Sequence, residues 1–261
     1  MSCPNGSSPA TSVIDLTGTT ALVTGASSGL GRRFAEVLAA SGASVVAAAR
    51  RVDRLEELVS QIEDNGGKAA AVALDVTDPA SITASLEACE QTVGLPNLLV
   101  NNAGVPDGRR AHKVPPSVVD LVLNTNLRGP WLLACEFARR CLEVGTEGRI
   151  INISSMAAFH YGGEAAALYA VTKAAVNRMT EVLAVEWAAN GINVNAIAPG
   201  AFESEMMDGM LARAGDISPA FPRKRLGVPS QLDSTLLYLA SPASAAVTGT
   251  VIKVDDGQNH R

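Results

Sequence analysis

Short runs of Val, Ile, Ala and Leu alternate with amphipathic stretches along the chain, and this alternation limits the possible fold more than any single motif. Residues 20–24 (TALVT), 43–49, 69–74 and 97–100 read as strands, separated by helical stretches at 30–40, 52–65 and 79–93. A helix over 117–143, a strand at 149–153, a helix over 164–189 and a strand at 192–198 follow. A short helix at 230–239 and a strand at 251–254 complete the pattern. Repeated strand–helix–strand units build a parallel sheet, because each crossover helix returns the chain to the same edge. The expectation is an α/β chain with a doubly wound parallel sheet and helices on both faces.

Composition supports one large core. Hydrophobic residues make up 47% of 261 positions and charged residues 18%, which excludes a disordered chain. Aromatics are only 4%, so slender Ala- and Val-rich elements must pack closely. With no repeat or linker, residues 18–261 read as a single domain behind a flexible tail, 1–17. That tail has neither a basic start nor an apolar run, so it does not resemble a signal peptide. No apolar stretch reaches the roughly 18 residues of a membrane span, and the expected location is the cytoplasm. A formal charge of −5 argues against nucleic acid as the main partner. Cys3, Cys89, Cys135 and Cys141 show no C-x-x-C spacing; they read as reduced structural thiols, with no metal site expected.

The turn after the first strand reads Thr24-Gly25-Ala26-Ser27-Ser28-Gly29-Leu30-Gly31. Glycines at a strand-to-helix junction let backbone approach a pyrophosphate, and the following helix offers unpaired N–H groups and positive potential. A plain tight turn is the alternative, weakened by the position of this one in a Rossmann-type arrangement. The second strand ends Ala48-Ala49-Arg50-Arg51. An acid there would bind the ribose hydroxyls of NAD; Ala49 and Arg50 instead leave room and positive charge for a 2′-phosphate. NADP(H) is therefore the expected cofactor, with NAD(H) retained as the alternative if Arg50 only contacts adenosine.

Tyr169 and Lys173 lie four apart in a helical stretch and share one face. A phenol with a reference pKa of about 10 can work near neutrality if an adjacent ammonium and an oxidised nicotinamide favour its anion. Ile153-Ser154-Ser155 closes a strand at the sheet edge where ligands of such folds bind, so Ser155 can hold a substrate oxygen. Without such a partner, Tyr169 and Lys173 would be a surface pair and Ser154-Ser155 an ordinary turn. Pro130, four residues after Asn126, has no N–H for the Asn126 carbonyl and would free it. The alternative is that Gly129-Pro130 simply breaks the helix.

Together these segments resemble the short-chain dehydrogenase/reductase family from Thr17 to Gly257. The matching residues are Thr24 to Gly31, Asp75-Val76, Asn101-Asn102-Ala103-Gly104, Asn126, Ser155, Tyr169-x-x-x-Lys173 and Pro199-Gly200. The resemblance implies an oxidoreductase in which Tyr169 is the acid/base and Ser155 binds the substrate oxygen. Lys173 would lower the tyrosine pKa and hold the nicotinamide ribose, and Asn126 would support a water-linked proton relay. Gly25, Ser27, Ser28, Gly29, Leu30 and Gly31 would form the phosphate turn. Asp75 and Val76 would bind adenine, and Asn102, Ala103 and Gly104 would shape the cofactor site. Pro199, Gly200 and Phe202 would flank the nicotinamide. Two departures stand out. Ser155 and Tyr169 are one residue further apart than is common, and Asp256 replaces a common glycine.

Substrate recognition is expected from variable loops. These are 105–115 with His112, 156–163 with Phe159, His160 and Tyr161, and a mobile lid at 201–225 with Phe202, Met206 and Met207. The lid's aromatics and methionines point to a mainly apolar substrate, although packing alone would also explain Phe and Met at this spacing. His160 reads as a second proton donor or a solvent-facing loop residue. The two long helices would pair between copies in a homodimer or homotetramer, as in the family. Trp131 and Trp187 would be interface anchors or core residues. An NAD-linked dehydrogenase, or a dinucleotide-binding protein without turnover, are the rival readings.

Overall fold

The computed structural model describes residues 14–163 and 165–258. Its sheet has seven parallel strands, β1 (Thr20–Thr24), β2 (Ser44–Ala49), β3 (Lys68–Ala73), β4 (Leu98–Asn101), β5 (Gly148–Ile153), β6 (Ile192–Pro199) and β7 (Val251–Val254). They lie in the order β3-β2-β1-β4-β5-β6-β7. The chain runs outward from β1 through β2 to β3, then returns to place β4 on the other side of β1. The crevice at that reversal, at the carboxyl ends of β1 and β4, is where open sheets bind ligands.

Strand periodicity decides which residues face which layer. Ala21 and Val23, Val45 and Ala47, and Leu98 and Val100 point to one face; Leu22, Val46 and Leu99 point to the other. The first face is covered by α1 (Gly29–Ala40), α2 (Val52–Asp64) and α8 (Asp233–Ala240) through Phe34, Leu38, Leu55, Leu58 and Leu236. The second is covered by α3 (Pro79–Thr92), α5 (Gly129–Val144) and α6 (Ala167–Trp187) through Leu86, Leu133, Phe137, Val176 and Leu183. Both faces are therefore dry, which explains why the strands read as continuous apolar runs.

Several sequence expectations need correction. The helix expected over 117–143 is interrupted: α4 (Pro116–Leu123) leads into a π-helical turn, Asn124–Arg128, before α5. There the N–H of Gly129 reaches the carbonyl of Asn124, five residues back. Pro130 lacks an N–H, so the ordinary ladder cannot continue. The helix expected from 164 begins at Ala167, because Ala165 and Ala166 hold positive φ angles; Glu164 lies outside the described residues. The lid expected as loop contains a further helix, α7 (Glu205–Ala214), whose N-terminus is capped by Ser204 Oγ accepting from the Met207 N–H at 3.2 Å. The first 13 residues of the expected tail lie outside the described residues, and Leu16 within it is fully buried in the core. Trp187 belongs to the second core layer, whereas Trp131 is 42% exposed. Cys89, Cys135 and Cys141 are free thiols, and Cys3 lies outside the described residues. Among the described residues no helix is long and apolar enough to cross a membrane.

Candidate active site

A cleft of about 1150 Å³ opens along the carboxyl edge of the sheet, running from the β1–α1 turn to the lid. At one end lie Gly25, Ser27, Ser28, Gly29 and Leu30. Gly25 has φ +67°, and a Cβ there would stand 2.9 Å from Asn102 Nδ2. Gly31 does not line the cleft; a Cβ on it would collide at 2.4 Å with the Gly25 carbonyl, so this glycine brings α1 against the turn. Asn102 Nδ2 donates to the Thr24 carbonyl at 2.9 Å, while Thr24 Oγ1 accepts from the N–H groups of Asn102 and Ala103. The ends of β1 and β4 are thus locked together. Gly104 follows between Asn126 and Lys173, where a Cβ would stand 3.5 Å from Asn126 Oδ1 and 3.7 Å from Lys173 Nζ.

Arg50, Asp75 and Val76 line the same end of the cleft. The Asp75 carboxylate accepts from the Thr77 N–H at 2.9 Å and its hydroxyl at 2.7 Å, which lowers its pKa. Arg51, next to the arginine singled out from sequence, makes the direct contacts to the turn: its guanidinium donates to Ser27 Oγ and Ser28 Oγ.

In the middle of the cleft, β5 and α6 bring three side chains together. Ser154 is buried and donates its hydroxyl to the Lys173 carbonyl at 3.1 Å, fixing α6 to the strand end. Ser155 is the one whose hydroxyl meets the Tyr169 hydroxyl. Lys173 Nζ lies 5.6 Å from the Tyr169 ring centroid and donates to the Ile153 carbonyl at 2.7 Å. Burial raises the tyrosine pKa while the Ser155 bond opposes that rise. Loss of solvent lowers the Lys173 pKa to about 8. Asn126 is fully buried and does not line the cleft; its side chain accepts from the Val105 N–H at 2.8 Å and donates to the Val105 carbonyl at 2.9 Å.

Sequence reading missed Asp107. Its Oδ2 accepts from the N–H groups of Leu168 (2.9 Å) and Tyr169 (3.3 Å), capping the start of α6 from another loop. An acid three residues after Asn102-Ala103-Gly104 was visible, but nothing local linked it to residue 168. Gln258 was also missed: it brackets Ala201, accepting from its N–H at 2.6 Å and donating to its carbonyl at 3.1 Å.

Pro199, Gly200, Phe202, Met206, Met207, His160 and Tyr161 also line the cleft. Phe202 is only 4% exposed and packs with the core, its ring filling the space beside Gly227. Phe159 and His112 are not cleft residues; Lys253 Nζ lies 4.0 Å over the Phe159 ring. The lid is pinned at both ends, since the Glu203 N–H donates to the Gly227 carbonyl and the Gly227 N–H to the Ala201 carbonyl, each at 2.9 Å. The Asp256 carboxylate pairs with Arg223 at 3.1 Å and Arg225 at 2.8 Å, tying the segment after β7 to the lid's return.

Residues 19–214 match the family described as short chain dehydrogenase. The chain is 35% identical over 245 residues to the 3-oxoacyl-(acyl-carrier-protein) reductase FabG of Vibrio cholerae, covering 94% of this chain and 98% of that protein. A short-chain type dehydrogenase/reductase from Mycobacterium marinum superposes with TM-score 0.91 at 34% identity, over 95% and 98% of the two chains. A putative 2-deoxy-d-gluconate 3-dehydrogenase from Agrobacterium tumefaciens with bound NADP gives TM-score 0.86 at 36% identity, over 95% and 99%.

Proposed function

We propose, from the premise that the chain belongs to the short-chain dehydrogenase/reductase family, that it transfers a hydride between NADP(H) and a ketone or secondary alcohol, with Tyr169 as the general acid/base. The observation that carries this reading is the contact of the Ser155 and Tyr169 hydroxyls beside the Lys173 ammonium, in a cleft continuous with the glycine turn. The residues fit a dinucleotide: the turn exposes bare backbone at Gly25, and the cleft is long enough to reach from it to Tyr169. Gly25 to Leu30 would hold the phosphates, Arg50 and Arg51 the 2′-phosphate, Asp75 and Val76 the adenine, and Lys173 with Pro199 and Gly200 the nicotinamide end.

The bound cofactor supplies or accepts the hydride. In reduction the Tyr169 hydroxyl gives its proton to the substrate oxygen, which Ser155 also holds; in oxidation the phenolate takes the alcohol proton. Lowering a phenol from about 10 to about 7 requires roughly 4 kcal/mol of differential stabilisation, and the Lys173 ammonium is the nearby charge that contributes to it. The Asn126 side chain is occupied by Val105, so its carbonyl, deprived of a donor at Pro130, is the group available for a proton relay. The lid methionines, with Ile217 and Phe221, favour a mainly apolar substrate. Exposed Trp131 on α5 and Val171, Val182 and Val185 on α6 would meet their counterparts in a homodimer or homotetramer acting in the cytoplasm.

Tyr169→Phe tests the assignment. It is expected to lower turnover at least about 100-fold, the scale of general acid/base catalysis, with dinucleotide affinity retained in a fluorescence titration. Wild-type turnover in that variant would remove Tyr169 from the chemistry.

A further inference from the structure

Two arginines and one carboxylate meet where the lid helix begins. Arg51 immediately precedes α2 and Arg54 lies in its first turn, while Glu205 is the first residue of α7. Arg51 donates to Glu205 at 3.1 Å, and Arg54 pairs with the other carboxylate oxygen. The same Arg51 guanidinium holds Ser28 Oγ at 2.9 Å and Ser27 Oγ at 3.0 Å. A packing contact reports the same closeness independently: a Cβ on Gly29 would stand 3.3 Å from Cβ of Ser204, the residue that caps α7. The base of the lid therefore touches the glycine turn by shape and by charge.

Glu205 also alters the electrostatic reading of the second strand. No acid stands at Ala49, yet the fold carries one into the same corner from 154 positions beyond Arg51. Arg51, Arg54 and Glu205 are 41%, 42% and 50% exposed, so their pairing is weak and exchangeable. A phosphate dianion binds a guanidinium through stronger, bidentate contacts than one carboxylate oxygen offers.

We propose that Glu205 is a specificity-determining residue: it competes with the 2′-phosphate of NADP(H) for Arg51, so that binding a 2′-phosphorylated dinucleotide unlatches the lid helix from the glycine turn. The inference rests on the NADP(H) reading above. In the latched form Arg51 is already neutralised, and the carboxylate repels an arriving dianion. A dinucleotide without the 2′-phosphate leaves the Arg51–Glu205–Arg54 clasp intact.

The test is Glu205→Gln, which keeps the side-chain length and removes the charge, with affinities measured by titration for 2′,5′-ADP and 5′-AMP as well as NADPH and NADH. The variant is expected to bind NADPH and 2′,5′-ADP about 3- to 10-fold more tightly at low salt, an effect that shrinks as salt screens exposed charges. NADH and 5′-AMP affinities should not move. In the wild type, 2′,5′-ADP but not 5′-AMP should speed hydrogen exchange in the first turn of α7. If wild type prefers NADPH but Glu205→Gln leaves that preference unchanged or weakens it, the competition is refuted and the NADP(H) reading stands. If wild type shows no preference and the variant acquires one, the competition is supported. If neither protein distinguishes the 2′-phosphorylated ligands, both readings fall.

Discussion

At the scale of single residues, the proposed catalytic trio depends on an acid that takes no part in it. Ala166 precedes α6 with no side-chain oxygen to offer, so the first N–H groups of the helix would be left unpaired. Asp107, 7% exposed, supplies the acceptor from the loop after β4, and its negative charge sits at the positive end of the helix. Because one bonded N–H belongs to Tyr169 itself, Asp107 sets where the phenol stands. Asp107→Ala should cost about 1–2 kcal/mol in denaturant unfolding, the scale of a lost cap, and should reduce kcat more than dinucleotide affinity. Asp107→Asn, which retains an oxygen acceptor, should recover most of both; a kcat unchanged in the alanine variant would show that the cap does not position Tyr169. The trio was legible in sequence because Tyr169 and Lys173 are one helical turn apart, a relation fixed by local geometry. Asp107 was not, because it lies 61 positions from Leu168.

At the scale of elements, nearly every strand and helix lay within a few residues of its expected place, since periodicity and turn residues act locally. The exceptions are backbone departures: the π-helical turn at Asn124–Arg128, where Pro130 removes a ladder N–H, and the late start of α6 at two residues of positive φ. Ala165 and Ala166, at φ 91° and 64°, occupy conformations that L-residues avoid. Ala166→Gly should therefore stabilise the protein by about 0.5–1 kcal/mol, the left-handed penalty less the extra backbone entropy of glycine. Thermal unfolding would show this as a rise in Tm of about 2 °C; a fall would mean that the alanine methyl packs usefully. The α7 helix escaped sequence reading because Gly209 and flanking glycine and proline residues mask a pattern only two to three turns long.

At the scale of the whole molecule, the sheet order puts the glycine turn, Ser155, Tyr169 and the lid on one edge, which no single segment encodes. The outward face of α6 shows Val171 at 64% and Val185 at 80% exposure, with Leu121, Trp131 and Leu142 exposed on α4 and α5. This is the face on which the proposed assembly would rest. If the proposed assembly forms through this face, the double variant Val171→Glu, Val185→Glu lowers the mass measured by light scattering toward that of one chain, while leaving the circular dichroism spectrum intact. An unchanged mass would place any assembly contact elsewhere.

The sequence alone determined the parallel α/β layering, the glycine turn and the Tyr169–Lys173 pair, since each follows from hydrophobic period, glycine spacing or a single helical turn. Tertiary structure alone decided that Arg51 meets Glu205 and that Asp107 caps α6. Those contacts join segments 154 and 61 positions apart. Their geometry is set by how the strands register and how the lid packs back on the sheet, and a linear pattern of residue types carries no record of either.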